Sequence, residues 1–148
     1  MSTTEIIQII TGCIGSVGFG VLFNIRGKRL AATALGGFLS WMLFVILSKF
    51  IPNQAINYFV VSLLTSLYSE AMARVLKTPT TTFAVTALVP LIPGGSLYYT
   101  MVSAMESNLE TFLTRAVATL QLAAALALGI IVSTTITRLF YQFVKKGR

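Results

Sequence analysis

The 148-residue chain has no histidine and no aspartate, and its only acids are Glu5, Glu70, Glu106 and Glu110. It has one cysteine, Cys13. These absences remove most site chemistry. The usual zinc sites, His-based triads and Asp-held metal–phosphate sites are unavailable. No phosphate-cradling loop and no nucleophile elbow is present. The expectation is no enzyme and no cofactor. A single cysteine cannot close an internal disulfide, and Cys13 sits in an apolar run as a small hydrophobe. Charge itself is scarce. Only 10% of residues are charged and 55% are hydrophobic, against about 25% charged in a soluble domain. The chain therefore reads as integral to a membrane. Its net charge of +7 comes from basic residues that flank apolar spans. That is a topology signal rather than a phosphate-binding face. The N-terminus has no basic lead and the first apolar run is long, so the expectation is a retained span rather than a cleaved signal.

Splitting the chain at its charges gives five segments in one transmembrane domain, residues 1–148. The expected spans are about 6–25, 30–48, 55–76, 79–105 and 116–137. Each reaches about 19 residues, enough for about 30 Å of hydrocarbon. With the N-terminus outside, the cytoplasmic side collects Arg26, Lys28, Arg29, Arg74, Lys77, Arg138, Lys145, Lys146 and Arg148. The outer side keeps Lys49 and Arg115. Nine against two is a strong positive-inside bias. If 78–105 dipped in and returned, the count would be six against five. The expected fold is all-α, with five crossings, N-terminus outside and C-terminus cytoplasmic.

The fourth segment is unusual. Residues 78–105 form an uncharged 28-residue run with Pro90-Leu91-Ile92-Pro93-Gly94-Gly95 at its centre. Each proline lacks an N–H and clashes with the preceding turn, and the glycines remove the remaining helical bias. A straight helix of that length would measure roughly 42 Å, too long for the hydrocarbon. The expected shape is two half-helices meeting near mid-membrane. Thr78 is positioned to cap the first, with Pro79 at its first turn, and the second begins near Gly94. Broken backbone at that depth is tolerated only inside a bundle or along a wet cavity, and such breaks point to transporter sites.

Two groups of residues carry candidate chemistry. The break, followed by Ser96, Tyr98, Tyr99 and Thr100, offers a half-helix N-terminus suited to a carboxylate. The alternative is a packed structural kink. In the third span Ser62, Ser66, Glu70 and Arg74 recur every four residues on one face. Glu70 and Arg74 form either a proton or carboxylate site inside the bundle or an ion pair near the cytoplasmic interface. The candidate pathway residues are thus Glu70, Arg74, Pro90, Pro93, Gly94, Gly95, Ser96 and Tyr98. Asn24 is placed to cap the first span or to hydrogen-bond across the bundle, and Trp41 reads as packing. Small residues at four-residue spacing, Gly12/Ser16/Gly20, Ala32/Gly36/Ser40 and Ala125/Gly129/Ser133, allow close helix pairing within this chain or with another.

These residues carry a resemblance. The string Phe19-Gly-Val-Leu-Phe-Asn24, then Gly36-Gly37, Trp41, Glu70, Arg74, Lys77-Thr78-Pro79 and Pro90-Leu-Ile-Pro-Gly94 with Tyr98, resembles the small-subunit half of the threonine/serine exporter-like family. The likeness covers nearly the whole chain. The Glu-x-x-x-Arg and Pro-x-x-Pro-Gly pieces are specific as a set and weak singly. The resemblance implies a multi-pass protein of the bacterial inner membrane. It implies a secondary exporter of amino acids such as threonine and serine, or of small dicarboxylates. It also implies a larger membrane subunit of the same family as partner, because the larger half is missing here. Energy would come from an ion gradient. The rival expectations are a non-transporting assembly subunit and a self-assembling small channel.

Overall fold

A computed structural model describes residues 3–106 and 108–146. Arg148 and the side chains of Lys145 and Lys146, counted above among the inner charges, lie outside the described residues. Among those described the chain is all helical, with no strands. The helices are α1 (Thr3–Leu22), α2 (Lys28–Leu47), α3 (Gln54–Val75), α4 (Thr80–Leu88), α5 (Gly94–Met105) and α6 (Leu109–Lys146). A single 3₁₀ turn, Val89–Leu91, follows α4.

Helices α1, α2 and α6 are long and apolar enough to cross a membrane. The pair α4–α5 is bent by 57° and makes a fourth span if counted as one. Helix α3 has 22 residues, about 33 Å, but does not meet the same apolarity test. Its buried face is polar: Asn57, Ser62, Thr65, Ser66 and Ser69. It packs against α2, α4 and α6, so its environment is mostly protein rather than lipid.

Local chemistry sets the helix ends. Asn53 caps α3 by accepting from the N–H groups of Ala55 and Ile56 at 3.0 and 3.3 Å. Helix α1 closes on Asn24, which takes a left-handed φ of 56°. The Asn24 N–H donates to the Val21 carbonyl at 2.9 Å and the Ile25 N–H to the Gly20 carbonyl at 2.8 Å. This is the Schellman pattern, and the cap is made by the Asn24 backbone. Helix α3 ends the same way on Lys77, with φ 47°. At the start of α4 the structure departs from the expected cap. Pro79 occupies the N-cap position without a side-chain hydrogen bond, and the Thr78 hydroxyl donates back to the Leu76 carbonyl at 2.9 Å. The closing turn of α3 captures Thr78 before α4 begins.

Helix α6 runs unbroken for 38 residues, about 57 Å. The expected span 116–137 is its interior. Charges at both ends limit the apolar run, but they do not stop a helix that has no internal proline.

The small-residue faces are used within the chain. Gly37 of α2 lies against the Ser16 side chain of α1, and a Cβ on Gly12 would sit 3.2 Å from the Trp41 Cβ. Gly36 makes room for Ala87 and Tyr68, whose hydroxyl donates to the Ala32 carbonyl at 2.8 Å. Gly129 of α6 faces Ser62 and the backbone of Phe59 and Leu63 in α3. Two apolar clusters mark the register of α3 and α4. Ala73 packs with Phe83 and Ala32, while Val61 packs with Leu88 and Leu91. The two helices are therefore antiparallel, and the 3₁₀ turn lies level with Val61.

Candidate functional site at the broken helix

Proline chemistry builds the break. Pro90 has no N–H for the Thr86 carbonyl, and Val89–Leu91 tightens into the 3₁₀ turn. Ile92 is extended, with φ −59° and ψ 125°, as expected before a proline. Helix α5 restarts at Gly94. The Gly94 N–H turns back to the Ile92 carbonyl at 2.6 Å, and the Leu97 N–H reaches the Pro93 carbonyl at 3.0 Å. The N–H groups of Gly95 and Ser96 have no acceptor among the described residues. Nothing lies within 4 Å of a Cβ built on Gly94 or Gly95. Crowding does not demand glycine there, and the bare backbone stays open.

Beside this start, α5 and α6 run antiparallel and leave a groove of about 360 Å³. Ser96, Tyr99, Arg115, Ala118 and Thr119 line it. The Thr100 and Thr119 hydroxyls lie 3.0 Å apart and tie the two helices together. Arg115 is held by α5. Its Nη1 donates to the Tyr99 carbonyl at 3.1 Å and to the Ser103 hydroxyl at 2.8 Å. Its guanidinium also sits 5.9 Å from the centre of the Tyr99 ring. Among the described residues no carboxylate lies within ion-pair reach of Arg115; the two ion pairs are Lys49–Glu5 and Arg74–Glu70.

Across the break lies a second, smaller pocket of about 190 Å³, lined by Gln8, Thr11, Gly12, Gly15, Trp41, Val89 and Pro90. Trp41 stacks on Phe44 at 5.2 Å, yet its Nε1 is buried with no hydrogen-bond partner.

The structure separates the two groups of sequence candidates. Glu70 and Arg74 pair at 3.3 Å on α3. They lie nine residues or more beyond Val61, about 14 Å along the axis from the level of the break. Pro90, Pro93, Gly94 and Gly95 form the break itself, and of the residues singled out after it Ser96 and Tyr99 line the larger groove. Tyr98 points outward, 64% exposed, with its ring edge-on to Tyr99. Tyr99 is the tyrosine that faces the groove. Sequence reasoning missed Arg115 and Thr119 as site residues. The available signal was an arginine near the head of a long apolar helix, one turn before a threonine.

Among the described residues no group of His, Cys, Asp or Glu side chains is placed to hold a metal ion. The groove offers hydrogen-bond donors and one cation instead, an arrangement for holding an anion. No solved structure matches the chain. Residues 8–136 match the family model described as threonine/serine exporter, ThrE. That match covers most of the sequence, including every helix that builds the break and the groove, and with it this multi-pass, all-helical chain belongs to the threonine/serine exporter family.

Proposed function

We propose that the chain is one subunit of a secondary-active exporter for small carboxylated metabolites, either threonine/serine-type amino acids or a small dicarboxylate. It works with a larger subunit of the same family in a bacterial inner membrane. The observation that carries this reading is the start of α5. Two backbone N–H groups without acceptors and two uncrowded glycines open beside a groove in a broken apolar segment. A helix N-terminus favours a negative group there. The reading has five crossings. Helix α3 is the fifth, shielded by α2, α4 and α6. The positive charges favour the N-terminus outside and the C-terminus in the cytoplasm.

Pro90, Pro93, Gly94, Gly95, Ser96 and Tyr98 belong to the pathway in this reading, with Glu70 and Arg74 farther along it. The outward face of the break supports a partner. Leu97, Tyr98 and Met101 are all more than half exposed, and Gly94 and Gly95 are exposed beside them. A larger subunit on this face would close the pathway from the open side.

Efflux tests the proposal. Deleting this gene, or that of its larger partner, should raise the intracellular level of the exported metabolite and lower its efflux. Normal efflux in either deletion strain would sink the reading.

A further inference from the structure

We infer that the α5–α6 groove is a carboxylate site built on Arg115, and that among the described residues its lining offers no counter-charge for an ammonium group. The inference rests on the transport reading above and names the chemistry its site selects.

Arg115 is an arginine held in place without an acid. Tyr99 and Ser103 occupy only its Nη1. The Nε and Nη2 edge has no acceptor among the described residues. That edge presents two parallel N–H donors, the geometry that takes a carboxylate in a two-point bond. A guanidinium fixed by a carbonyl, a hydroxyl and an aromatic face has already lost much of its rotamer freedom. Binding an anion there costs little further ordering.

The rest of the lining sets the class of ligand. Ser96 and Thr119 bring hydroxyls, Tyr99 a ring and Ala118 a methyl group. No aspartate exists in the chain. Glu5 and Glu70 are paired elsewhere, and Glu106 and Glu110 do not line the groove. A volume of about 360 Å³ is at the low end for a small-ligand cleft and suits a metabolite of a few carbons. A short acid carrying a hydroxyl or a second carboxyl finds donors here. An amino acid finds a site for its carboxylate alone, and its ammonium takes a ligand from the partner subunit.

Binding to the full 148-residue chain in lipid nanodiscs tests this with four probes. They are L-threonine, 3-hydroxybutyrate (no ammonium), succinate and threoninol (no carboxylate). The three acids should bind, with L-threonine and 3-hydroxybutyrate within about three-fold of each other, because the groove lining gives the ammonium no counter-charge. Threoninol should bind on the order of 10- to 100-fold more weakly, the loss expected for a charge-assisted pair. Arg115→Gln should weaken the acids by a similar factor, and Arg115→Lys should recover part of it. Threoninol binding as tightly as L-threonine overturns the inference. So does wild-type affinity in Arg115→Gln, or a wild-type chain that binds none of the acids. If Arg115→Gln does not fold, as read by its melting curve, the probe series on the wild-type chain decides alone. The two proposals fail separately. Efflux lost on gene deletion with no acid bound by this chain removes the Arg115 site and leaves the exporter. Acids bound through Arg115 with efflux unchanged on deletion does the reverse.

Discussion

The contact between α6 and α3 makes Gly129→Ala a sharp test of the packing. A Cβ at Gly129 would sit 2.6 Å from the Phe59 carbonyl oxygen and 3.0 Å from the Leu63 nitrogen, and would overlap the Ser62 hydroxyl. The Ser62 hydroxyl can turn away, but the backbone atoms cannot. Ordinary contact begins near 3.4 Å, so α6 must withdraw by about 0.8 Å at this point. A gap of that size forfeits roughly a quarter to a half of each dispersion contact along the seam. Overpacking of this kind costs about 1–3 kcal/mol, and alanine in place of glycine returns up to about 1 kcal/mol of helix propensity. Because backbone has to move, a net loss near 2 kcal/mol is expected, a fall of about 4–8 °C in melting temperature for a chain of this size. Thermal unfolding in detergent, followed by circular dichroism, reads it directly. Gly18→Ala is the control, since nothing lies within 4 Å of a Cβ there. If Gly129→Ala melts at or above the wild type, α3 and α6 do not meet as described.

Three further outcomes follow from the same geometry. Lys77→Gly should raise stability by about 1 kcal/mol in a thermal melt, because glycine holds the left-handed φ of 47° without strain, whereas Lys77→Val should lower it. A double-mutant cycle on Glu70→Gln and Arg74→Gln should give a coupling of about 0.3–0.5 kcal/mol if the pair is only a same-helix ion pair. A ten-fold loss of efflux from Glu70→Gln alone, at unchanged stability, would place Glu70 in the pathway. Pro93→Ala combined with Gly94→Leu should abolish efflux while the protein still inserts, measured by transport beside membrane fractionation; wild-type efflux would reduce the break to packing.

What the sequence made readable follows from the range of each effect. The interruption between Leu91 and Gly94 is local chemistry. Proline removes its own N–H whatever surrounds it, so the helix stop needs no knowledge of neighbours. The small residues on α1, α2 and α6 likewise announce close approach, although only the structure assigns Gly37 to Ser16 and Gly129 to Ser62. The full length of α6 is harder to read. Charge marks where lipid ends, but a helix continues through polar surroundings as long as its backbone bonds close. Helical phase is harder still. Tyr98 and Tyr99 are adjacent in sequence, and the rotation of α5 against α6 decides which one lines the groove. Arg115 is hidden for a related reason. Counted with the topology charges it is one cation on the sparsely charged side. Its anchoring by Tyr99 and Ser103 depends on a pairing of helices that brings together residues 16 and 12 positions apart in the sequence.

The unbroken α6 carries that pairing and the basic end of the chain on one helix. One close seat of α6 is Gly129 against the α3 backbone, and a pivot there would act on both ends of the helix. Arg115 lies 14 residues on one side, about 21 Å, and Arg138 nine residues on the other, about 14 Å. A rock of 10° about Gly129 would swing Arg115 by about 4 Å and Arg138 by about 2 Å in the opposite direction. Were α6 to move as a rigid rod, the width of the groove at one end would follow the position of the basic end at the other.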